Sequence, residues 1–423
     1  MKKKDIDNKE DKKKKKKVSS KKKSVKEETD NKELYSTKEV VTVMLFSIGL
    51  GFLICFGLVS LLTGKNYLAV NRDLKKVVDT YYAIVDNYYG DIDKNALVDG
   101  AVSGMIEKVG DDYTTYSDSD TTLSFNETIT GKYEGIGCKV ATYYEDNKTV
   151  VTEVFDNSPS DKAGIKVGDI ITKVDGEDYT DKNSENLANY IKNSGKSKVI
   201  LTVIRDDKEK DITINLSKVE IPYVTSEIYE SNGKKIGYID ISLFASTTYK
   251  QFKSNLEKLE KDNIDSLIID VRDNNGGYLN IVTDICNLFL KKGKVIYRLE
   301  DNDNIIKKKD TTTESRDYDV AVIINANSAS ASEILASAIK ESYGGRVVGT
   351  NSFGKGSVQQ TKKLLDGSMI KYTTQKWLTP EGYYIGEIGV TPTDIVSLDE
   401  KYFDEPTTDN DNQLQEAIKI LSE

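Results

Sequence analysis

Val320-Ala321-Val322-Ile323-Ile324-Asn325, followed after two residues by Ser328-Ala329-Ser330-Ala331-Ser332-Glu333-Ile334-Leu335, is the stretch that decides the fold. The first six residues read as a buried strand, and the run of small residues turns the chain. Ser330-x-x-Glu333 ahead of Ile334 and Leu335 then has the form of a capping box that starts a helix. A buried strand passing through a tight turn into a helix is the unit of a largely parallel, helix-covered sheet. The neighbouring sequence repeats it. Ile236 to Ser242 and Asp265 to Val271 read as strands around a helix carrying Phe252, Leu256 and Leu259. Ile281 to Leu290 and Glu333 to Glu341 read as helices, and Arg346 to Thr350 as a further strand.

The same turn is the place to look for chemistry, because Lys355 follows Ser330 by 25 residues in a chain that contains no histidine. A serine hydroxyl is a poor nucleophile until a base removes its proton. Without imidazole the candidates are Lys, Asp, Glu or an N-terminal amine, of which lysine fits best. A basic lysine must be neutral, so its pKa has to fall from about 10.4 towards 7 or 8, on the order of 4 kcal/mol supplied by desolvation. Phe353, Gly354 and Gly356 are expected to close around the amine. A serine at a helix start lies beside free amides and the positive end of the dipole, which makes the amide of Ala331 an oxyanion donor. Asp270-Val271-Arg272-Asp273-Asn274-Asn275-Gly276-Gly277, a strand ending in two glycines, suggests a second donor. Each feature also has a plain reading, Ser330 as a helix cap and Gly276-Gly277 as a loop turn. Gly349-Thr350-Asn351-Ser352-Phe353-Gly354-Lys355-Gly356 nearly spells a P-loop. Gly356 stands where a magnesium-holding hydroxyl is needed, and a strand pattern follows instead of a helix, which argues against nucleotide binding.

Composition bounds the setting. The 423 residues are 38% hydrophobic and 30% charged, enough for two or three folded domains. Net charge is uneven: residues 1–39 carry 16 lysines against nine carboxylates, leaving −16 on the rest out of a total of −9. An acidic body argues against nucleic acid as a partner, and the lysine arm reads as a disordered cytoplasmic tail. Val40 to Leu62 is 23 residues without a charge, close to the roughly 20 that a helix needs to cross a bilayer. With lysines concentrated before it, this reads as an uncleaved single-pass anchor to the cell membrane, N-terminus cytoplasmic and the remainder outside. A cleaved signal peptide is the competing reading. Three cysteines, one within the span, leave only Cys138 and Cys286 for an external disulfide, and no ligand spacing for a metal exists. Helical spacing at Leu74, Val77, Val78, Tyr81, Val85 and Tyr88, and again at Leu97, Ala101, Val102, Met105, Ile106 and Val109, predicts two amphipathic helices with a packing face each.

From Gly131 to Leu216 short strands take over: Val150 to Phe155, Ile170 to Val174, Lys198 to Arg205 and Asp211 to Leu216, with one helix over Asn183 to Asn193. This part resembles a PDZ domain. Tyr133-Glu134-Gly135-Ile136-Gly137 is similar to its carboxylate-binding loop, and Ser158-Pro159-Ser160-Asp161-Lys162-Ala163-Gly164-Ile165-Lys166-Val167-Gly168-Asp169-Ile170-Ile171 to its most regular stretch. The resemblance implies that Gly135, Ile136 and Gly137 bind a protein C-terminus.

Taken with Gly354-Lys355-Gly356-Ser357-Val358-Gln359, Trp377-Leu378-Thr379-Pro380-Glu381-Gly382 and Gly389-Val390-Thr391-Pro392-Thr393-Asp394, residues 70 to 400 resemble the carboxy-terminal processing (tail-specific) serine peptidases. That resemblance implies Ser330 as nucleophile, Lys355 as general base, Gln359 orienting the lysine, and Gly276 and Ala331 as oxyanion amides, with no cofactor. Glu341 matches an acidic position of some members, but it reads rather as a solvated helix charge. Two departures stand out: Asn275 replaces a usual proline, and Gly110-Asp111-Asp112-Tyr113-Thr114 lacks a familiar Pro-His pair. The expected architecture is a multidomain α/β chain: tail 1–39, transmembrane helix 40–62, helical region 66–130, PDZ domain 131–216, and a crotonase-like or Clp-protease-like peptidase core 217–423. Its expected activity is serine endopeptidase cleavage of C-terminal regions, with protein or peptide C-termini as partners and room for a homodimer and a regulatory protein. The alternative is an anchored PDZ scaffold with an inactive core.

Overall fold

The computed structural model describes residues 35–63, 67–143, 148–180, 182–301 and 304–423. The expected tail over 1–39 lies outside the described residues as far as residue 34. The chain forms two compact units, Met1–Ile92 and Asp93–Glu423.

In the first unit Thr37–Thr63 is one helix, followed by the helix Tyr67–Asn87. Ser36 and Glu39 close the start of the former reciprocally, each side chain accepting the other's backbone N–H. Its segment Thr37–Val59 is long and apolar enough to cross a membrane, a property shared by anchors and signal sequences.

The second unit opens with the helix Lys94–Glu107, capped by Asp93. Its expected packing face is not buried: Met105 and Val109 are exposed, and no residue of the helix is buried. A strand, Thr115–Ser117, and a further helix, Ser119–Thr130, follow. That helix has no counterpart in the predicted pair, because Ser, Thr and Asn interrupt its apolar pattern.

The PDZ-like part is a six-stranded sheet in which Cys138–Tyr143, Lys148–Val154, Ile170–Val174, Lys198–Arg205 and Lys208–Asn215 lie in that order, with Glu177–Asp178 paired to Ile170–Val174. The helix Ser184–Asn193 covers it, burying Leu187 and Ile191 on Val151, Val174, Leu201 and Val203. The chain reaches this sheet along Lys132–Gly135 and leaves along Ser217–Glu220, and these two segments pair antiparallel in register from Lys132↔Glu220 to Gly135↔Ser217.

The core is built on a second six-stranded sheet ordered Val224–Ser231, Lys234–Ile241, Ser266–Asp270, Asp319–Ile324, Arg346–Gly349, Asp394–Ile395; only the first pair is antiparallel. Alternate side chains leave a strand on opposite faces. Leu267, Ile269, Val322 and Ile324 therefore meet Phe252, Val282 and Leu335 of the helices Thr248–Lys261, Leu279–Cys286 and Ala331–Ala338. Ile268, Ala321 and Ile323 meet Leu414, Ala417 and Leu421 of the C-terminal helix Asn412–Ser422. Burial on both faces explains why these strands read as unbroken apolar runs. A third sheet joins Thr115–Ser117, Met369–Leu378, Val295–Asp301 and Asn304–Lys309, with Ser357–Lys363 paired to Met369–Leu378, and it lies beside the turn that carries Ser330.

Candidate active site

The strand Asp319–Ile324 ends at Asn325, and the three serines that follow do different work. Ser328 Oγ accepts from the Asn325 amide at 2.9 Å and donates to Val271 O at 2.7 Å. Ser332 Oγ donates to Asn274 O at 2.8 Å. Both are fully buried struts that tie this turn to the turn after Ser266–Asp270. Ser330 is half-buried, lines a cavity of about 790 Å³, and holds φ 56°, ψ −110°. Such a conformation in a non-glycine residue costs on the order of 1–3 kcal/mol and persists only where the surroundings impose it. Here they do. The Glu333 carboxylate, itself fully buried, accepts from Ser330 N–H at 2.7 Å.

Glu333 does more than cap. It also accepts from the Ser352 hydroxyl at 2.6 Å and from the amides of Gly354 and Lys355 at 2.7 and 3.0 Å. One carboxylate thus anchors both the serine turn and the lysine loop. Burial pushes its pKa up against the pull of these hydrogen bonds.

The Lys355 carbonyl accepts from Trp377 Nε1 at 2.8 Å, and Lys355 lines the same cavity as Ser330. Burial lowers the Lys355 pKa from its ordinary value, the charge of Lys371 lowers it further, and Glu333 and Asp111 oppose the shift. The expected cover by Phe353 is not made, since that ring is 53% exposed. The aromatic over Lys355 is Tyr113, its ring centroid 4.8 Å from Nζ. Tyr113 arrives from a polar stretch far away in sequence, and no local signal marks it.

Gly276 fits under the serine turn because it lacks a side chain. A Cβ there would stand 2.8 Å from Ala329 O and 2.9 Å from Ser330 Cβ, and φ is +103°. Its amide, expected as an oxyanion donor, is engaged within its own turn by Asn274 Oδ1 at 2.8 Å, an Asx-turn. The amides of Gly277 and Ala331 have no acceptor among the described residues. Gln359, expected at the lysine, lines the cavity, but its Nε2 donates to Ser357 Oγ at 2.8 Å and Thr373 Oγ1 at 3.3 Å. No hydrogen bond joins Gln359 or Ser330 to Lys355 among the described residues. Glu341, read as a solvated charge, is half-buried instead. Burial pushes its pKa up while its Oε2 accepts from Glu381 N–H at 2.8 Å.

The second site is the loop Gly135-Ile136-Gly137, which edges a groove of about 210 Å³ between Cys138–Tyr143 and the helix Ser184–Asn193. Tyr133 Oη accepts the Gly137 amide at 3.2 Å. Burial pushes this phenol up to about 12, so it stays protonated. Any side chain at Gly135 would meet the Tyr133 ring at 2.4 Å.

No group of three or more His, Cys, Asp or Glu placed to hold a metal occurs among the described residues. Cys138 and Cys286 are free, one in the PDZ-like sheet and one buried under the core sheet, so the external disulfide is not formed.

Residues 235–396 match the family model described as peptidase family S41, residues 135–216 that of a PDZ domain, and residues 61–121 the N-terminal domain of the activating protease CtpB. A Staphylococcus aureus protein described as a probable CtpA-like serine protease is 35% identical over 323 residues, 76% of this chain and 64% of the relative. One of the same description from Staphylococcus saprophyticus is 35% identical over 323 residues, 76% and 65% of the two chains. The chain therefore spans just under two thirds of the length of these relatives. Among solved structures, an S41 protease from Bacteroides fragilis aligns over 79% of this chain and 91% of its own, with 15% identity and a TM-score of 0.52, a likeness of fold.

Proposed function

We propose that the chain is a PDZ-containing C-terminal processing peptidase of family S41, a serine endopeptidase acting through Ser330 and Lys355. The observation that carries this reading is that a strained, half-buried serine at a helix start and a lysine with a lowered pKa line one cavity. Neutral Lys355 takes the Oγ proton as Ser330 attacks the peptide carbonyl, and the resulting ammonium gives that proton to the leaving amine. Water then enters with the lysine again as base and releases the acyl group. The amide of Ala331 holds the oxyanion together with the glycine turn. There the Gly276 amide serves if it leaves Asn274, and the Gly277 amide has no acceptor among the described residues.

Gly135, Ile136 and Gly137 receive a substrate C-terminus, which would displace Tyr133 from the Gly137 amide. The helix Thr37–Thr63 anchors the chain in the cell membrane with residues after 65 outside. The test is labelling of the full chain by a serine-reactive probe as pH is raised, with Ser330 expected as the modified residue. Ser330→Ala and Lys355→Ala should each lower cleavage of an unfolded protein by at least about 10³-fold. Labelling elsewhere, or undiminished cleavage, overturns the assignment. A chain that binds C-terminal peptides yet cleaves nothing is the inactive scaffold.

A further inference from the structure

Two residues of Gly110-Asp111-Asp112-Tyr113-Thr114 reach the cavity region from outside the stretch that matches the peptidase family. The Tyr113 ring stands over Lys355 Nζ. Asp111 Oδ2 accepts the Thr373 hydroxyl at 2.6 Å, and Thr373 Oγ1 in turn accepts from Gln359 Nε2 at 3.3 Å.

The polarity of this chain follows from its chemistry. An ionised carboxylate can only accept, so the single proton of Thr373 points to Asp111 and its oxygen is left to accept. Only the NH₂ end of Gln359 can then face Thr373. The second amide hydrogen goes to Ser357. Both N–H bonds of Gln359 are therefore engaged, and its carbonyl oxygen is the remaining polar end, the end an ammonium requires. Asp111 stays ionised: burial pushes its carboxyl up, but hydrogen bonds from Thr114, Thr373 and the Tyr113 amide, with the Lys355 charge, hold it below its ordinary value.

We propose that Asp111 and Tyr113 are positioning residues for the general base: Asp111, through Thr373, sets which end of Gln359 is presented towards Lys355, and the Tyr113 ring stabilises the ammonium that Lys355 becomes on taking the Ser330 proton. This deepens the Ser-Lys reading and rests on it. Because the ammonium exists only after proton transfer, loss of either residue falls on kcat and leaves KM nearly alone. The groups that face Lys355 are Lys371 on Met369–Leu378, Glu333 on Ala331–Ala338, and Asp111 and Tyr113 themselves.

The test is steady-state cleavage of an unfolded protein by the full chain in detergent, as a function of pH, with probe labelling of Ser330 in parallel. Thr373→Val and Asp111→Ala should each lower kcat about tenfold with KM within about twofold, and Asp111→Asn, whose carbonyl still accepts from Thr373, should restore most of it. Tyr113→Phe, which keeps the ring, should restore most of the kcat that Tyr113→Leu loses. Tyr113→Leu should lower kcat about tenfold and move the acidic limb of the kcat profile to lower pH, because a ring that favours ammonium is gone. A merely structural role would change the melting temperature and leave the limb in place. Thr373→Val is isosteric and carries the test even where Asp111→Ala fails to fold. Wild-type kcat and limb in Thr373→Val and Tyr113→Leu, with Ser330 labelled, overturn the positioning role alone. A wild-type chain that neither cleaves nor labels overturns the Ser-Lys reading, and this inference with it.

Discussion

Glu333 shows how much one side chain decides. Its two oxygens accept from four donors, Ser352 Oγ and Gly354 N on Oε1, Ser330 N and Lys355 N on Oε2. Glu333→Gln has to turn an NH₂ group towards two of those donors whichever way it flips. We predict a loss of roughly 1–3 kcal/mol in urea unfolding, together with loss of cleavage, from leaving buried donors unpaired. Gly276→Ala should fail for a steric reason, since the added Cβ meets Ala329 O at 2.8 Å where no flexible atom can yield. Cleavage falling more than about tenfold with the fold retained by circular dichroism is the expected result. At this scale the sequence was legible in part. Ser330 and Lys355 were singled out by the resemblance to the peptidase motifs, and Glu333 by its capping-box offset from Ser330. The further reach of Glu333 to Lys355, and the Tyr113 and Asp111 contacts, depend on chain segments meeting across the fold and leave no local pattern.

The elements that read most clearly are those buried on both faces. Ser266–Asp270 and Asp319–Ile324 fall within one residue of their predicted bounds, because strands buried on both faces carry unbroken apolar runs, here Leu267–Ile269 and Val320–Ile324. The hairpin Val295–Asp301 with Asn304–Lys309 was not read: its second strand is exposed throughout and rich in lysine. Two acidic residues meet in register where Lys234–Ile241 pairs with Ser266–Asp270, Asp240 opposite Asp270. Arg272 neutralises Asp270 at 2.6 Å and reaches Asp411, at the start of the last helix, at 2.7 Å. Asp240 is left with burial and the Asp270 charge, which push its pKa up to about 7. The folded state then binds the extra proton between the ordinary carboxylate range and pH 7, so stability falls as pH rises through that window. Asp240→Asn should be more stable than wild type above pH 7, by ~2 kcal/mol after allowance for partial exposure, and the difference should vanish below about pH 4. Thermal melts across pH check it.

For the whole molecule, the groove edged by Gly135 and Ile136 and the cavity at Ser330 are separate features of one chain, and each can be altered alone. Tyr133→Phe removes the acceptor that engages the Gly137 amide. Binding of a peptide with a free C-terminal carboxylate should tighten by a few-fold, about 0.5–1 kcal/mol, and an amidated peptide should gain nothing, as read by fluorescence anisotropy. Domain order was legible from the change of hydrophobic period near Gly131 and Leu216. The connection between the domains was not, because Lys132–Gly135 and Ser217–Glu220 are too short to carry a period and pair with each other across more than eighty residues of sequence. Their pairing has an architectural consequence. Chain in and chain out lie side by side, on the order of 5 Å apart as in any antiparallel ladder. The core therefore sees everything between Gly135 and Ser217 as one long hairpin loop. A tight turn, or a foreign domain whose ends lie close together, could take its place without disturbing the register beneath, so the PDZ-like part is an interchangeable insert on a fixed base.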